Sequence, residues 1–371
     1  MQKRILIVVD AFTYGGAQKV LMVLIPEWVQ QGFMIEIILI QNNSREMILE
    51  PLLRLGVVIR RIESKNFFDI LAITRAIKHL LNFQPSIIQA HLYWSQIWSA
   101  IFKIFYPRAH LIWVEHNTYL RRSGFNWIIY KVLSKVTNEI IAVSIEVQDF
   151  LLSKKIKKTR VVLNPISKVF FEFEYRLRKP IFVFLGRLNE QKNPQLAIES
   201  FIYAKSKLMI PLNSTLIIGG EGPLLDKLQS NLKNSNFNQD IIFKGQLSEL
   251  EIVNLLQTSM ALVSTSDFEG FALVRVEALA CGATVITTNT SGIVGVLTER
   301  TNPLDPNYGV MIVERDIRKI AKAMFHVLNH NFWTESSILK RVDISKNHQP
   351  NLVSKNYLVT FNKNDSSDDL G

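Results

Sequence analysis

Along nearly the whole chain, short unbroken runs of Ile, Val and Leu alternate with longer segments whose apolar residues recur at helical spacing. This alternation limits the fold more than any other feature. A strand that is apolar on both faces must be covered on both faces, and parallel strands joined by crossover helices meet that need. In the first half the runs predict strands over 4–10, 34–41, 57–62, 87–91, 111–116, 139–144 and 160–163. Helices are predicted between them over 17–31, 68–81, 95–105, 125–136 and 145–153. The rhythm pauses over 167–180, a charged stretch with aromatics, and then restarts. Strands are predicted there over 181–186, 214–220, 241–245, 261–266, 284–289 and 308–313, with helices over 194–207, 224–232, 248–258, 271–281 and 316–328. The expected architecture is α/β: two tandem Rossmann-like domains facing across an interdomain cleft. The expected boundaries are 1–170, 171–345 and a polar, partly helical tail over 346–371.

A single cysteine, Cys281, excludes a disulfide framework and points to a reducing, cytoplasmic setting. No stretch approaches the roughly 20 apolar residues that span a bilayer. The opening run ends at Asp10 after too few apolar residues for a signal peptide, and reads as a buried first strand. Charge is distributed unevenly. Residues 1–170 hold 22 Lys and Arg against 11 Asp and Glu, whereas residues 171–371 hold 21 of each. The positive excess lies wholly in the first half, where a phosphorylated substrate, an anionic membrane or nucleic acid could use it. No ribonucleoprotein motif, zinc finger or helix-turn-helix signal supports nucleic acid.

In open parallel sheets, ligands bind beyond the carboxyl ends of the strands, so the residues there are the candidates. Gly15 and Gly16 follow the first strand and precede a helix, where backbone can approach a phosphate; a plain tight turn would look the same. His91 and His116 end two successive apolar strands and could meet substrate hydroxyls or be structural. Gly186 and Arg187 end the first strand of the second half, and Lys192 follows just before a helix opened by Pro194. One guanidinium and one ammonium at a strand end could clamp a diphosphate, or could be two surface cations. The glycine-rich Gly219-Gly-Glu-Gly-Pro223 reads at least as a sharp turn. Glu269 and Glu277 stand eight residues apart, the first in a strand-to-helix turn whose free N–H groups favour an anion. No His, Cys or Asp cluster has metal-ligand spacing, and no cofactor motif is present.

These residues resemble the retaining glycosyltransferases of the GT-B fold, in glycosyltransferase family 4. The segment Glu269-Gly-Phe-Ala-Leu-Val-Arg-Val-Glu277-Ala-Leu-Ala-Cys-Gly282 is similar to that family's E-x7-E motif and its trailing helix. Gly186-Arg-Leu with Lys192-Asn193 resembles its donor-diphosphate pair, Gly15-Gly-Ala-Gln18 its first glycine loop, and Asn164-Pro-Ile166 its strand-end Asn motif. Ala272 departs from a commoner Gly. The resemblance implies a nucleotide-sugar donor, commonly a UDP-sugar, bound mainly by the second domain. Glu277 would hold the ribose hydroxyls. Glu269 and the amides of Gly270, Phe271 and Ala272 would face the sugar or its phosphates. Arg187 and Lys192 would neutralise the departing diphosphate in place of a metal, and His91 would touch the donor sugar. His116 is a candidate acceptor contact, and the loop after Gly245 would meet the base.

The resemblance further implies retention of anomeric configuration and a lipid-linked or saccharide acceptor in bacterial surface polysaccharide synthesis. The segment from Arg121 to Lys135 is aromatic, apolar and basic at helical spacing, which suits docking to an anionic membrane from the cytoplasmic side. Two other functions fit the pattern: a sugar-nucleotide 2-epimerase, which would need further cleft carboxylates, and a non-catalytic sugar-nucleotide-binding partner protein.

Overall fold

The computed structural model describes residues 3–13, 15–41, 46–66, 68–117, 124–233, 235–290, 309–328 and 330–365. Two compact units emerge: Met1–Pro165 with Pro350–Gly371, and Ile166–Gln349.

The first unit contains strands β1 (Arg4–Val9), β2 (Met34–Leu39), β3 (Val58–Arg61), β4 (Ile87–His91), β5 (His110–Glu115), β6 (Glu139–Ala142) and β7 (Thr159–Val161). They alternate with helices α1 (Gly16–Gln30), α2 (Glu46–Arg54), α3 (Ile70–Phe83), α4 (Tyr93–Phe105), α5 (Gly124–Leu133) and α6 (Ile145–Ser153). The strands form one parallel sheet in the order β3-β2-β1-β4-β5-β6-β7. The second unit holds β8 (Lys179–Leu185), β9 (Thr215–Gly219), β10 (Ile241–Gly245), β11 (Ser259–Ser264), β12 (Thr284–Thr288) and β13 (Val310–Val313). Its helices are α7 (Pro194–Ser206), α8 (Leu225–Leu232), α9 (Glu249–Thr258), α10 (Leu273–Ala280), α11 (Ile317–His326) and α12 (Glu335–Ser345). The sheet is again parallel, in the order β10-β9-β8-β11-β12-β13. In each sheet the order runs outward from the first strand and then reverses to the other side. The reversal falls between β1 and β4 in one unit and between β8 and β11 in the other, and such reversals open a crevice at the carboxyl ends.

Local chemistry explains the helix boundaries. Asn193, at φ 48°, caps α7 by accepting from the Leu196 amide, and Pro194 opens the helix with its φ already set. Ser248 and Glu251 form a reciprocal capping box on α9. Gly282, at φ 71°, ends α10, its amide donating to the Leu279 carbonyl. Packing then fixes the layers. Phe182, Phe184 and Phe201 are buried with Leu216, Ile218 and Met324 between sheet and helices. Each such aromatic contributes roughly 2–3 kcal/mol of burial.

The chain's last helix, α13 (Pro350–Asp365), packs on the first unit. Trp28 on α1 donates through Nε1 to the Ser354 carbonyl at 3.3 Å and meets Tyr357 edge-on, with ring centroids 6.0 Å apart. Arg160 reaches the Asn356 carbonyl at 2.7 Å. The stretch expected as a separate tail from 346 therefore divides: the residues up to Gln349 close the second unit, and those from Pro350 complete the first.

Candidate functional site

In the second unit, the two loops flanking the β8–β11 reversal are sewn together. After β8 the chain runs through Gly186, Arg187 and Lys192; after β11 it runs from Thr265 to Ala272. The Asp267 amide donates to the Gln191 carbonyl at 2.8 Å, and Gln191 Nε2 donates to the Phe268 carbonyl at 3.0 Å. Thr265 Oγ1 donates to the Asn193 carbonyl at 2.7 Å, and Arg315 braces the Asp267 carbonyl at 2.6 Å. These bonds fix the approach of two side chains 77 positions apart: Lys192 Nζ and Glu269 Oε1 form an ion pair. Ser266 Oγ also donates to Glu269 Oε1, at 2.7 Å. Glu269 is only 7% exposed, so its carboxylate is held where water screens little. Arg187 lies on the same loop with its side chain exposed.

The glycines of the segment 219–222 have a steric function. A Cβ on Gly220 would lie 2.0 Å from the Gly186 carbonyl oxygen, and one on Gly222 2.3 Å from that of Leu188. Gly220 also holds φ 130°, a conformation open to glycine. The β9 loop thus lies directly against the backbone that carries Arg187. The Leu188 amide donates to the Glu221 carbonyl at 2.9 Å and locks the contact.

Helix α10 begins at Leu273 with Ala272 as its N-cap, and no side chain caps it. The helix starts two residues later than its apolar pattern suggests, after a loop whose residues Thr265 to Glu269 make the bonds above. Glu277 sits little more than one turn into this helix and is 2% exposed. Gly270, Phe271 and Ala272 lead directly into this helix start. Arg275, not among the candidates named from the sequence, is buried on the same helix, with Nη2 2.5 Å from Thr290 Oγ1 and Nε 3.4 Å from Ser264 Oγ. An arginine inside an otherwise apolar helix face was the signal available for it.

In the first unit the reversal gathers β1 and β4. Asp10, just past β1, accepts from the Ser95 amide at 2.9 Å and from Ser95 Oγ at 2.5 Å; burial raises its carboxyl above the usual range. Gly15 caps α1, and a Cβ there would meet Gln18 Oε1 at 2.5 Å and oblige that side chain to shift, while Gly16 faces open space. Gln18 in turn donates to the Ala11 carbonyl at 2.9 Å. His91 and His116 come together, Nδ1 of the first 2.9 Å from Nε2 of the second. His91 is fully buried and His116 half-buried. Burial holds both imidazoles below their ordinary range, His116 at about 4. Among the described residues, no three His, Cys, Asp or Glu side chains gather as a metal site.

Known proteins share both the sequence and the architecture. The family model Glycosyltransferase Family 4 matches residues 14–168, and the model Glycosyl transferases group 1 matches residues 166–348. An uncharacterized glycosyltransferase of Methanocaldococcus jannaschii is 31% identical over 208 residues, 51% of this chain and 50% of that protein. The UDP-Gal:alpha-D-GlcNAc-diphosphoundecaprenol alpha-1,3-galactosyltransferase of Escherichia coli is 32% identical over 113 residues, 30% of this chain and 28% of that protein. The chain thus spans half or less of the length of these curated relatives. The crystal structure of Anabaena HepE in complex with UDP-glucose superposes with a TM-score of 0.81 at 14% identity, covering 97% of this chain and 99% of that one. Two adjoining family matches over 14–348, on a pair of parallel-sheet domains, lead to one conclusion: the chain belongs to glycosyltransferase family 4 and has the GT-B fold.

Proposed function

We propose that this chain is a retaining, metal-independent glycosyltransferase that moves a sugar from a UDP-sugar to a lipid-linked or saccharide acceptor in bacterial surface polysaccharide synthesis. The observation that carries this reading is the Lys192–Glu269 pair, held by sewn loops at the sheet reversal of the second unit. Breaking an anomeric C–O bond leaves an oxocarbenium-like sugar and a nucleoside diphosphate. Lys192, tied to the loop before α10 through Glu269, and Arg187 on the loop after β8 would place positive potential where that leaving group develops charge, and Glu269 keeps the ammonium oriented. Such preorganised stabilisation is commonly the largest catalytic term, about 3–4 kcal/mol for one donor. Glu277 takes the ribose hydroxyls, and the amides of Gly270, Phe271 and Ala272 face the phosphates. The leaving phosphate accepts the acceptor's proton, and attack on the same face retains configuration. A thermal-shift panel of nucleotide sugars tests the donor, followed by nucleotide release with a membrane extract as acceptor. Absence of a shift with every nucleotide sugar, together with no release, would remove the reading.

The acceptor side is read from the first unit. On α5, Phe125, Ile128 and Val132 are exposed by 69%, 62% and 56%, at helical spacing, with Lys131 and Lys135 exposed beside them. Lys154 lies over the Trp127 and Phe150 rings at 6.0 and 5.7 Å from their centroids. Arg121 and Arg122 lie outside the described residues. In α4, by contrast, Trp98 and Phe102 are core. None of the described helices is long and apolar enough to cross a membrane. An apolar helix face rimmed by lysines suits peripheral docking on the anionic cytoplasmic leaflet. Flotation with liposomes tests this: binding that needs anionic lipid and weakens with salt supports it, and indifference to both contradicts it.

A further inference from the structure

The two histidines of the first unit share one short contact, and elementary valence limits how it can be made. With both rings neutral, the His91 Nδ1···His116 Nε2 contact of 2.9 Å holds a single hydrogen. Two arrangements satisfy that count. If His116 donates, the one proton of His91 must sit on its Nε2, which is buried and has no hydrogen-bond partner. That leaves an N–H sealed away from every acceptor. If His91 donates from Nδ1, its Nε2 carries only a lone pair, and the proton of His116 moves to Nδ1. A buried N–H without an acceptor is the rarer deficit in proteins, so the second arrangement is favoured. His116 Nδ1 has no hydrogen-bond partner among the described residues, and its ring is only half-buried, so it is the atom left to meet a ligand.

The backbone bears on the same spot. Leu92, directly after His91, holds φ 74° and ψ 162°, a region almost restricted to glycine. Strain of about 1–3 kcal/mol persists where the surroundings over-determine it, and it clusters at functional sites. His91 is further fixed in the sheet interior, paired in register with Val9 on one side and Val114 on the other.

We propose that His91 is a positioning residue: it donates from Nδ1 and thereby locks His116 as the Nδ1–H tautomer, an uncharged donor offered to a hydroxyl or other acceptor oxygen of the sugar substrate. This rests on the transferase reading for the substrate, but not for the tautomer. With its Nε2 buried and its Nδ1 turned to His116, His91 would act on the sugar through His116.

The test has two arms on the full chain. Long-range ¹H–¹⁵N correlation on ¹⁵N-histidine-labelled protein at neutral pH reads the tautomer directly, with His116→Asn to assign the signal. Nδ1–H on His116 is expected, and Nε2–H would overturn the proposal. In the second arm, His91→Asn keeps an N–H near the original Nδ1, while His91→Asp puts an acceptor there. The Asn variant should retain at least tenfold more kcat than the Asp variant, with the donor KM of the two alike. Equal losses in both, with both folded by circular dichroism, would mean that only the shape of His91 matters. If no variant and no wild-type sample turns over any nucleotide sugar, the transferase reading fails, while the spectrum still decides the tautomer.

Discussion

Lowering the pH should weaken the first unit through His116, and the size of the effect follows from its environment. An unfolded histidine titrates near 6.5. In the folded protein, burial holds His116 at about 4. The unfolded chain therefore binds a proton that the folded chain refuses, so stability is complete above about pH 6.5 and falls as the pH drops toward 4. Between about pH 7.5 and pH 4.5 the loss is about 2.5 kcal/mol. His91, lowered by burial and by His116, acts in the same direction. Asp10 acts in the opposite one, because its raised carboxyl binds a proton more readily folded than unfolded. Comparing the wild type with His116→Gln removes such shared terms to first order. Urea unfolding followed by tryptophan fluorescence reports mainly on this unit, which holds Trp28, Trp94, Trp98, Trp113 and Trp127. The wild type should lose about 2.5 kcal/mol more than the variant over that range. Equal pH slopes would show that the folded protein does not hold His116 as a neutral ring.

Three further outcomes follow. Arg187→Ala, on an exposed side chain, should lower turnover by about a hundredfold or more with the melting temperature little changed; unaltered turnover would contradict a leaving-group role. Lys192→Ala removes the ammonium facing the buried Glu269, and should cost on the order of 1–3 kcal/mol in denaturant unfolding as well as weakening binding of UDP. Gly220→Ala must displace the Gly186 carbonyl and hold a side chain at φ 130°, so a loss of about 3 kcal/mol is expected, whereas Gly16→Ala, facing open space, should stay within about 0.5 kcal/mol.

The sequence carried the fold well where burial writes a pattern. Apolar runs placed the strands, most clearly in the sheet interiors; Ile87–His91, buried throughout, and the edge strand Ile241–Gly245 match residue for residue. Helix α2 was missed because Pro51 interrupts it, and α12 because Arg341 and Ser345 occupy buried positions that disguise its apolar face. The allegiance of α13 had no local signature at all, since any helix carrying Tyr357 and Leu358 could cover either sheet. At the site, the motif residues were legible as strand-end chemistry. The bonds that join them were not: Gln191 to Phe268 and Arg315 to Asp267 depend on which strands become neighbours. The histidines could be placed on adjoining strand ends, but their touching rings and unequal burial arise from packing that periodicity does not encode.

The return of α13 to the first unit also decides how this molecule could be taken apart. Residues 166–349 form an unbroken stretch of polypeptide that contains every strand of the second sheet, so that half is a natural candidate for separate expression. The other half is not contiguous. Ending the chain at Pro165 would strip the cover from Trp28 and leave α1 without the helix that seals it. A synthetic peptide of that helix, added to the truncated protein, should restore its solubility, so the fold carries its own split-protein reporter.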